Sequence, residues 1–174
     1  ENQNGYLAKV MPPIRSNADV ASVWSAIGKN QIDTIGTDHV ANQLKLKLGG
    51  DDVWDTLAGF PGIGTLLPIL LSEGINKDRI NLNQLVRLTS TNASKIFGLK
   101  SKGNLDIGFD ADITVIDLKK EAKVSTSLFG GFSDYLVYDG WNLKGWPVKT
   151  IVRGNLVADD FHVVGKPGFG KFVS

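Results

Sequence analysis

Thr37-Asp38-His39 is the run whose residue types are best suited to chemistry. It follows Ile32-Asp33-Thr34-Ile35-Gly36, a short β-prone segment, and so falls at the C-terminal end of an expected buried strand. In α/β folds the loops beyond that end converge on one mouth. A carboxylate there can bind a cation through one oxygen and accept a proton on the other. The plainer reading has Asp38 capping the next turn and His39 hydrogen-bonded in a polar loop. For an isolated dipeptide that turn is the commoner outcome.

Two further segments can build a site around it. Pro12-Pro13-Ile14-Arg15 is a stiff wall, because two successive prolines fix φ twice and donate no backbone hydrogen bonds. Arg15 can bind a carboxylate, although such an arginine more often pairs with a surface aspartate. Gly59-Phe60-Pro61-Gly62-Ile63-Gly64-Thr65 lets backbone N–H groups approach a ligand ahead of a helix start. It lacks the Gly-Lys-Ser/Thr of a phosphate-binding loop, and most such runs are only turns. Asp106, Asp110, Asp112 and Asp117 do not follow the spacing of a calcium loop, so turn and strand-edge roles are expected. His162 is expected to be exposed near the tail. Tyr135, Tyr138, Trp141 and Trp146 have no interleaved basic stripe, which favours packing over base stacking.

The elements that must position these residues are readable in part. Ser16 caps a helix with Asp19 in its first turn, Val20, Val23, Trp24 and Ile27 on one face, and Gly28 at its end. A Gly- and Asp-rich loop covers residues 49–62. A second helix follows with Leu66, Leu67, Leu70 and Leu71 inward and Gly74 as its stop. Asn81 caps a third helix with Leu82, Leu85, Val86 and Thr89 along one side, and Thr91 or Asn92 starts a short fourth that closes at Gly98. Beyond Gly98 the texture turns to β: Leu105–Ile107, a turn at Gly108-Phe109-Asp110, then Ala111–Leu118. A hairpin follows from Val148–Val152 through Gly154-Asn155 to Leu156–Ala158. Residues 119–147 are either a packed connection or a covering loop, and the tail from Gly165 is extended or docked.

Composition narrows the classes. The 174 residues carry 19 Lys plus Arg against 18 Asp plus Glu, a net charge of +1 without long runs of one sign. A nucleic-acid surface needs a clustered basic excess, so no nucleic-acid partner is expected. The absence of cysteine removes disulfides and thiolate metal sites. Two histidines, His39 and His162, cannot build a multi-histidine site alone. No apolar run reaches the ~18–20 residues of a membrane span, and no membrane partner is expected. The chain starts at Glu1 without an initiator Met, which suggests a processed or excised segment.

The order of the motifs is more specific than any one of them. Pro12-Pro13-Ile14-Arg15, Ile35-Gly36-Thr37-Asp38-His39, Gly59-Phe60-Pro61-Gly62, Asn92-Ala93-Ser94-Lys95-Ile96-Phe97-Gly98-Leu99, Lys102-Gly103, Gly108-Phe109-Asp110-Ala111-Asp112, Asp139-Gly140-Trp141 and Lys144-Gly145-Trp146-Pro147 follow one another. Together they resemble the C-terminal part of the cyclic amidohydrolases: dihydropyrimidinase/hydantoinase, dihydroorotase and allantoinase. The resemblance covers nearly the whole chain.

It implies an α/β fold, with residues 1–98 as the last strands and helices of a TIM-type barrel and 99–174 as the C-terminal strands of a small β-sandwich with its tail. It implies hydrolysis of a small cyclic amide at a binuclear zinc centre. Asp38 matches the family's last-strand aspartate, a metal ligand that takes the proton of the bridging hydroxide and returns it to the leaving nitrogen. Met11, Pro13, Ala58 and Gly59 are the nearest matches to the main-chain groups that hold the substrate amide. Met11 stands where hydantoinases often carry Ser, and Ala58 stands near the place of an Asn. Asn42 occupies the place of a second histidine of dihydroorotases and completes the candidate substrate-binding set. The family's remaining metal ligands precede the matched region, so this polypeptide alone is expected to be inactive. A cytoplasmic homo-oligomer, a tetramer, is also implied. Dihydroorotase or allantoinase activity is the alternative within the family. A non-catalytic assembly scaffold is the alternative outside it, and a free-standing β-rich binding module ranks last.

Overall fold

Local capping rules account for the helices. The computed structural model describes residues 5–50 and 52–173, so Asp51 of the Gly- and Asp-rich loop lies outside them. Helix α1 spans Asn17–Gly28 and opens on a reciprocal cap, in which the Asp19 N–H donates to Ser16 Oγ (3.3 Å) and the Ser16 N–H to Asp19 Oδ2 (3.0 Å). Its expected apolar face is only half covered: Ile27 is buried, Trp24 lies under the Arg79 guanidinium at 5.1 Å, and Val20 and Val23 are exposed.

A single turn, α2, follows at Leu44–Lys47. Helix α3, Leu66–Ile69, runs directly into a π-helical stretch at Leu70–Ile75, one residue past the expected stop at Gly74. Helix α4, Leu82–Val86, begins on the expected Asn81 cap, with Gln84 completing the exchange. It continues through a π stretch, Arg87–Thr91, into α5, Asn92–Ile96. The buried positions of this rod are Leu85, Leu88 and Ser94, whereas Leu82 and Val86 face outward. Gly98, at φ 69°, follows the end of α5.

Two expected strands do not form. Residues 32–37 are not in a strand, although Ile32 and Ile35 do pack against the helical core. A strand exists only as part of a ladder, and among the described residues no neighbouring strand runs beside this one. Residues 105–107 run irregularly into a turn at Ile107-Gly108 instead, with Leu105 and Ile107 exposed. Local bonds from the Leu105 N–H to Asn104 Oδ1 (2.8 Å) and from the Phe109 N–H to the Asp106 carbonyl (3.1 Å) compete with any ladder there.

The sheet is a four-stranded antiparallel meander, β1 (Ile113–Lys123), β2 (Asn142–Val152), β3 (Asn155–Asp159) and β4 (His162–Val163). The long β1–β2 ladder takes up both ends of the segment left open above, residues 119–123 and 142–147. Pro147, which has no N–H to give, pairs with Ile116 where the register shifts. The expected hairpin joins β2 to β3 through Arg153 (φ 47°) and Gly154 (φ 77°), the left-handed pair of a type I′ turn. Beyond β4 the tail is docked: Arg153 Nη2 donates to the Phe169 carbonyl at 2.5 Å and its guanidinium lies over the Phe169 ring.

Helices and sheet share side chains. Ile116 and Leu118 of β1 pack on the helical cluster of Ile27, Leu70, Leu71, Ile80, Leu85 and Leu88. Ile69 of α3 packs on the sheet-side cluster of Val124, Leu136, Leu143 and Trp146. At the seam Asn76 Nδ2 donates to the carbonyls of Leu71 (3.2 Å) and Lys144 (2.9 Å). Gly145 sits at φ 94° where a Cβ would come within 2.8 Å of Leu71 Cβ.

The aspartates near the hairpin serve turns and strand edges, as expected. Lys102 Nζ bridges Asp110 (2.9 Å) and Asp112, and Asp112 also accepts the Arg153 N–H (2.8 Å). The Lys102 hydrogen bond holds both carboxyls below the ordinary carboxylate range, and Asp112 and then Asp110 hold Lys102 above the lysine range. The cluster therefore stabilises the fold above the unfolded carboxyl value of 3.8 and loses that contribution as pH falls through the depressed values. On the alkaline side the contribution is complete below 10.5 and is lost as pH rises past the raised Lys102 value. Urea midpoints followed from pH 5 downwards should fall less steeply in Lys102→Met than in the parent; equal slopes would show that the cluster is not linked to folding.

Candidate active site

Asp38 is exposed and holds φ 44°, a left-handed conformation that Asp and Asn tolerate better than most residues. A non-glycine residue kept there marks a place where the surroundings over-determine the backbone. The surroundings are identifiable. Next to it His39 Nδ1 accepts the N–H groups of Gly62 (3.0 Å) and Ile63 (3.3 Å), and the Val40 N–H donates to the Phe60 carbonyl at 3.2 Å. With Nδ1 acting as acceptor, a neutral His39 carries its proton on Nε2. The two amides are thereby used within the loop, which takes them away from the ligand cradle that the glycines first suggested.

The glycine loop itself fits under the Asp38 segment because Gly59 has no side chain. At φ 93°, a Cβ on Gly59 would meet Val40 Cγ2 at 2.4 Å. The Gly59 N–H in turn donates to the Lys9 carbonyl at 3.0 Å, which brings in the segment leading to Met11 and Pro13. Met11, Pro13 and Arg15 are exposed, Ala58 is half-buried and Gly59 is buried. Lys9, His39–Val40 and Gly59–Ile63, three separate stretches, are thus tied together.

Asn42 already has a protein partner. It is buried, and its Oδ1 accepts the Tyr135 hydroxyl at 2.6 Å, with the phenol pushed up by burial and then by Asp134. His162 is exposed on β4, as expected.

Lys47 is a polar residue that sequence patterning did not single out. Its side chain is completely buried, and its Nζ donates to the carbonyls of Lys9 (2.8 Å), Leu57 (2.6 Å) and Gly59 (2.7 Å). Burial pushes its pKa below the ordinary lysine value, and Lys9 adds to that shift. No local signal separates Lys47 from Lys45, two positions earlier on the same turn.

Residues 9–157 match the model of the amidohydrolase family. The chain belongs to that family. It is 38% identical over 172 residues to the L-hydantoinase of Paenarthrobacter aurescens, covering 98% of this chain and 38% of that protein. It is 39% identical over 157 residues to a dihydroorotase of Methanosphaera stadtmanae, covering 90% of this chain and 35% of the relative. Among solved structures, the L-hydantoinase (dihydropyrimidinase) from Arthrobacter aurescens superposes with a TM-score of 0.94 at 38% identity, over 98% of this chain and 38% of that one. The D-hydantoinase (dihydropyrimidinase) from a Thermus species gives a TM-score of 0.91 at 30% identity, over 97% and 37%. The chain therefore spans less than two fifths of the length of these relatives. No helix among its described residues is long and apolar enough to cross a membrane.

As an amidohydrolase segment, its described residues do not by themselves fit a binuclear zinc centre. Among them no three His, Cys, Asp or Glu side chains converge. The nearest nitrogen donor in sequence, His39 Nδ1, is turned to the glycine loop. What the segment can supply is one exposed carboxylate between two ordered stretches of backbone.

Proposed function

We propose that this chain is part of an enzyme that opens cyclic amide rings of the dihydropyrimidine or hydantoin kind, and that Asp38 is its proton carrier. The observation that supports this most is the left-handed, exposed Asp38 directly before His39, whose Nδ1 accepts the Gly62 and Ile63 amides of the glycine loop. In the proposed reaction water adds to the ring carbonyl carbon and its proton passes to the Asp38 carboxylate. The C–N bond then breaks as that proton is returned to the ring nitrogen, giving a ring-opened ureido group and a carboxylic acid that loses the second water proton to solvent. Exposed carbonyl and N–H groups near Met11, Pro13 and Ala58 would bind the amide edges of the ring.

Zinc and a homo-oligomeric, cytoplasmic enzyme belong to the same proposal. The other zinc ligands would have to come from outside the described residues, as would the rest of an α/β barrel and of a β-sandwich completed by residues 99–174. Dihydroorotate is the second substrate reading, supported by the 39% identical dihydroorotase relative. It ranks below the hydantoin type because Asn42 Oδ1 is already bonded to Tyr135 in a buried position.

A panel of dihydrouracil, hydantoin, dihydroorotate and allantoin, run on the full-length protein with and without added zinc, tests the reading. Turnover of dihydrouracil or hydantoin is expected. Preference for dihydroorotate would move the assignment within the family, and no turnover of any ring would leave the scaffold alternative.

A further inference from the structure

We infer that Lys47 is a positioning residue that sets the distance between the Lys9 and Leu57–Gly59 stretches, and through them holds the segment that carries Asp38. This rests on the hydrolase reading above for its functional consequence, but the tie itself does not. The starting observation is an ammonium with no exposed surface whose three donors are all used on main-chain carbonyls, at 2.6–2.8 Å. Burying a charge is strongly unfavourable unless it is fully hydrogen-bonded, so such a group persists where its geometry is needed.

Its three acceptors come from two stretches of chain that are far apart in sequence. Lys9 leads into Met11-Pro12-Pro13, and Leu57 and Gly59 enclose Ala58. Carbonyl oxygens from both stretches point at one spot, where their partial negative charges would repel one another. A tetrahedral –NH3+ group meets three converging lone pairs at once, which no neutral side chain of similar length can do. The position of Gly59 is then passed on: its N–H bonds back to Lys9, the adjoining Phe60 carbonyl takes the Val40 N–H, and Gly62 and Ile63 hold His39. Asp38, itself the left-handed residue, is covalently next to His39. Lys47 touches neither substrate nor Asp38, and it acts through this backbone.

The test uses the full-length protein with Lys47→Met, which keeps the stem and removes the charge and all three donors. Lys45→Met, an exposed change on the same turn, is the control. KM for the best ring of the panel should rise about tenfold or more in Lys47→Met while kcat changes less, as expected when binding groups are displaced by a fraction of an ångström. Hydrogen exchange at the Gly59 and Val40 amides, measured without substrate, should speed up in the same variant and stay unchanged in Lys45→Met. A folded Lys47→Met protein with parental KM, or with parental exchange at both amides, would overturn the inference. If Lys47→Met does not fold, Lys47→Arg decides: the planar fork keeps the charge but not the three-way geometry. It should raise KM severalfold, and a parental KM would overturn the inference. If the parent turns over no ring, the hydrolase reading fails, and the exchange arm still decides the tie.

Discussion

Replacing Asp38 by Asn in the full-length protein is expected to reduce hydrolysis of cyclic amides by about 10²–10⁴-fold, the range for loss of a positioned proton carrier. The substitution is chosen for the backbone. Asp38 holds φ 44°, and Asn accepts that region as readily as Asp, so the turn into His39 and its bonds to Gly62 and Ile63 stay intact. The side chain is exposed, so stability should change by no more than about 0.5 kcal/mol. Asp38→Ala is a poorer probe because a Cβ without a local hydrogen-bonding group in the left-handed region adds about 1–2 kcal/mol of strain. A fall in kcat by Asn with the melting midpoint unchanged is the expected pattern. Parental turnover in Asp38→Asn would remove Asp38 from the proton-carrying role, whatever the substrate.

What the sequence shows and what it hides follow from the range of the interactions involved. The caps at Ser16 and Asn81 are legible because the partners, Asp19 and Gln84, lie three residues away. The β2–β3 hairpin is legible for the same reason, although its turn falls at Arg153-Gly154, one residue before the expected Gly154-Asn155. Residues 32–37 carry a strand-like pattern, but a strand is made by its neighbours, and none runs beside this segment among the described residues. In β1 and β2 the obstacle is irregularity. Register shifts at Val115/Ile116 and between Asp117 and Glu121 interrupt the alternation that would have revealed residues 119–123 and 142–147 as one ladder. Leu66, Leu67, Leu70 and Leu71 do turn inward as their spacing predicts, whereas in the next rod Leu88, on the π stretch, is buried in place of Leu82 and Val86. For the site, Asp38, the double proline and the glycine loop each announce themselves by residue type. Lys47 does not, because the alternation Leu44-Lys45-Leu46-Lys47 reads as a surface pattern, and only the convergence of Lys9, Leu57 and Gly59 gives the second lysine an interior place.

Trp146→Ala should be the most damaging single change to the fold, lowering stability by about 3–5 kcal/mol. The indole has no exposed surface and lies in the sheet-side cluster with Val124, Leu136 and Leu143. Phe129 stacks near it at a ring separation of 6.5 Å, and Phe161 meets it edge-on at 5.2 Å. Its Nε1–H donates to the Leu143 carbonyl at 2.9 Å. Alanine removes the shared wall of three groups of side chains and leaves that carbonyl without its side-chain partner. The surroundings are poorly placed to close the gap: the next residue is Pro147 and the preceding Gly145 is already in close approach to Leu71. Trp146→Phe separates the two contributions, because it retains most of the aromatic packing while losing the N–H. It should cost about 1–3 kcal/mol, the penalty for an unpaired buried group. Urea unfolding of the two variants beside the parent gives the order parent, Phe, Ala. An alanine variant within about 1 kcal/mol of the parent, below the usual range for such a truncation, would mean that this cluster does not hold the sheet against α3.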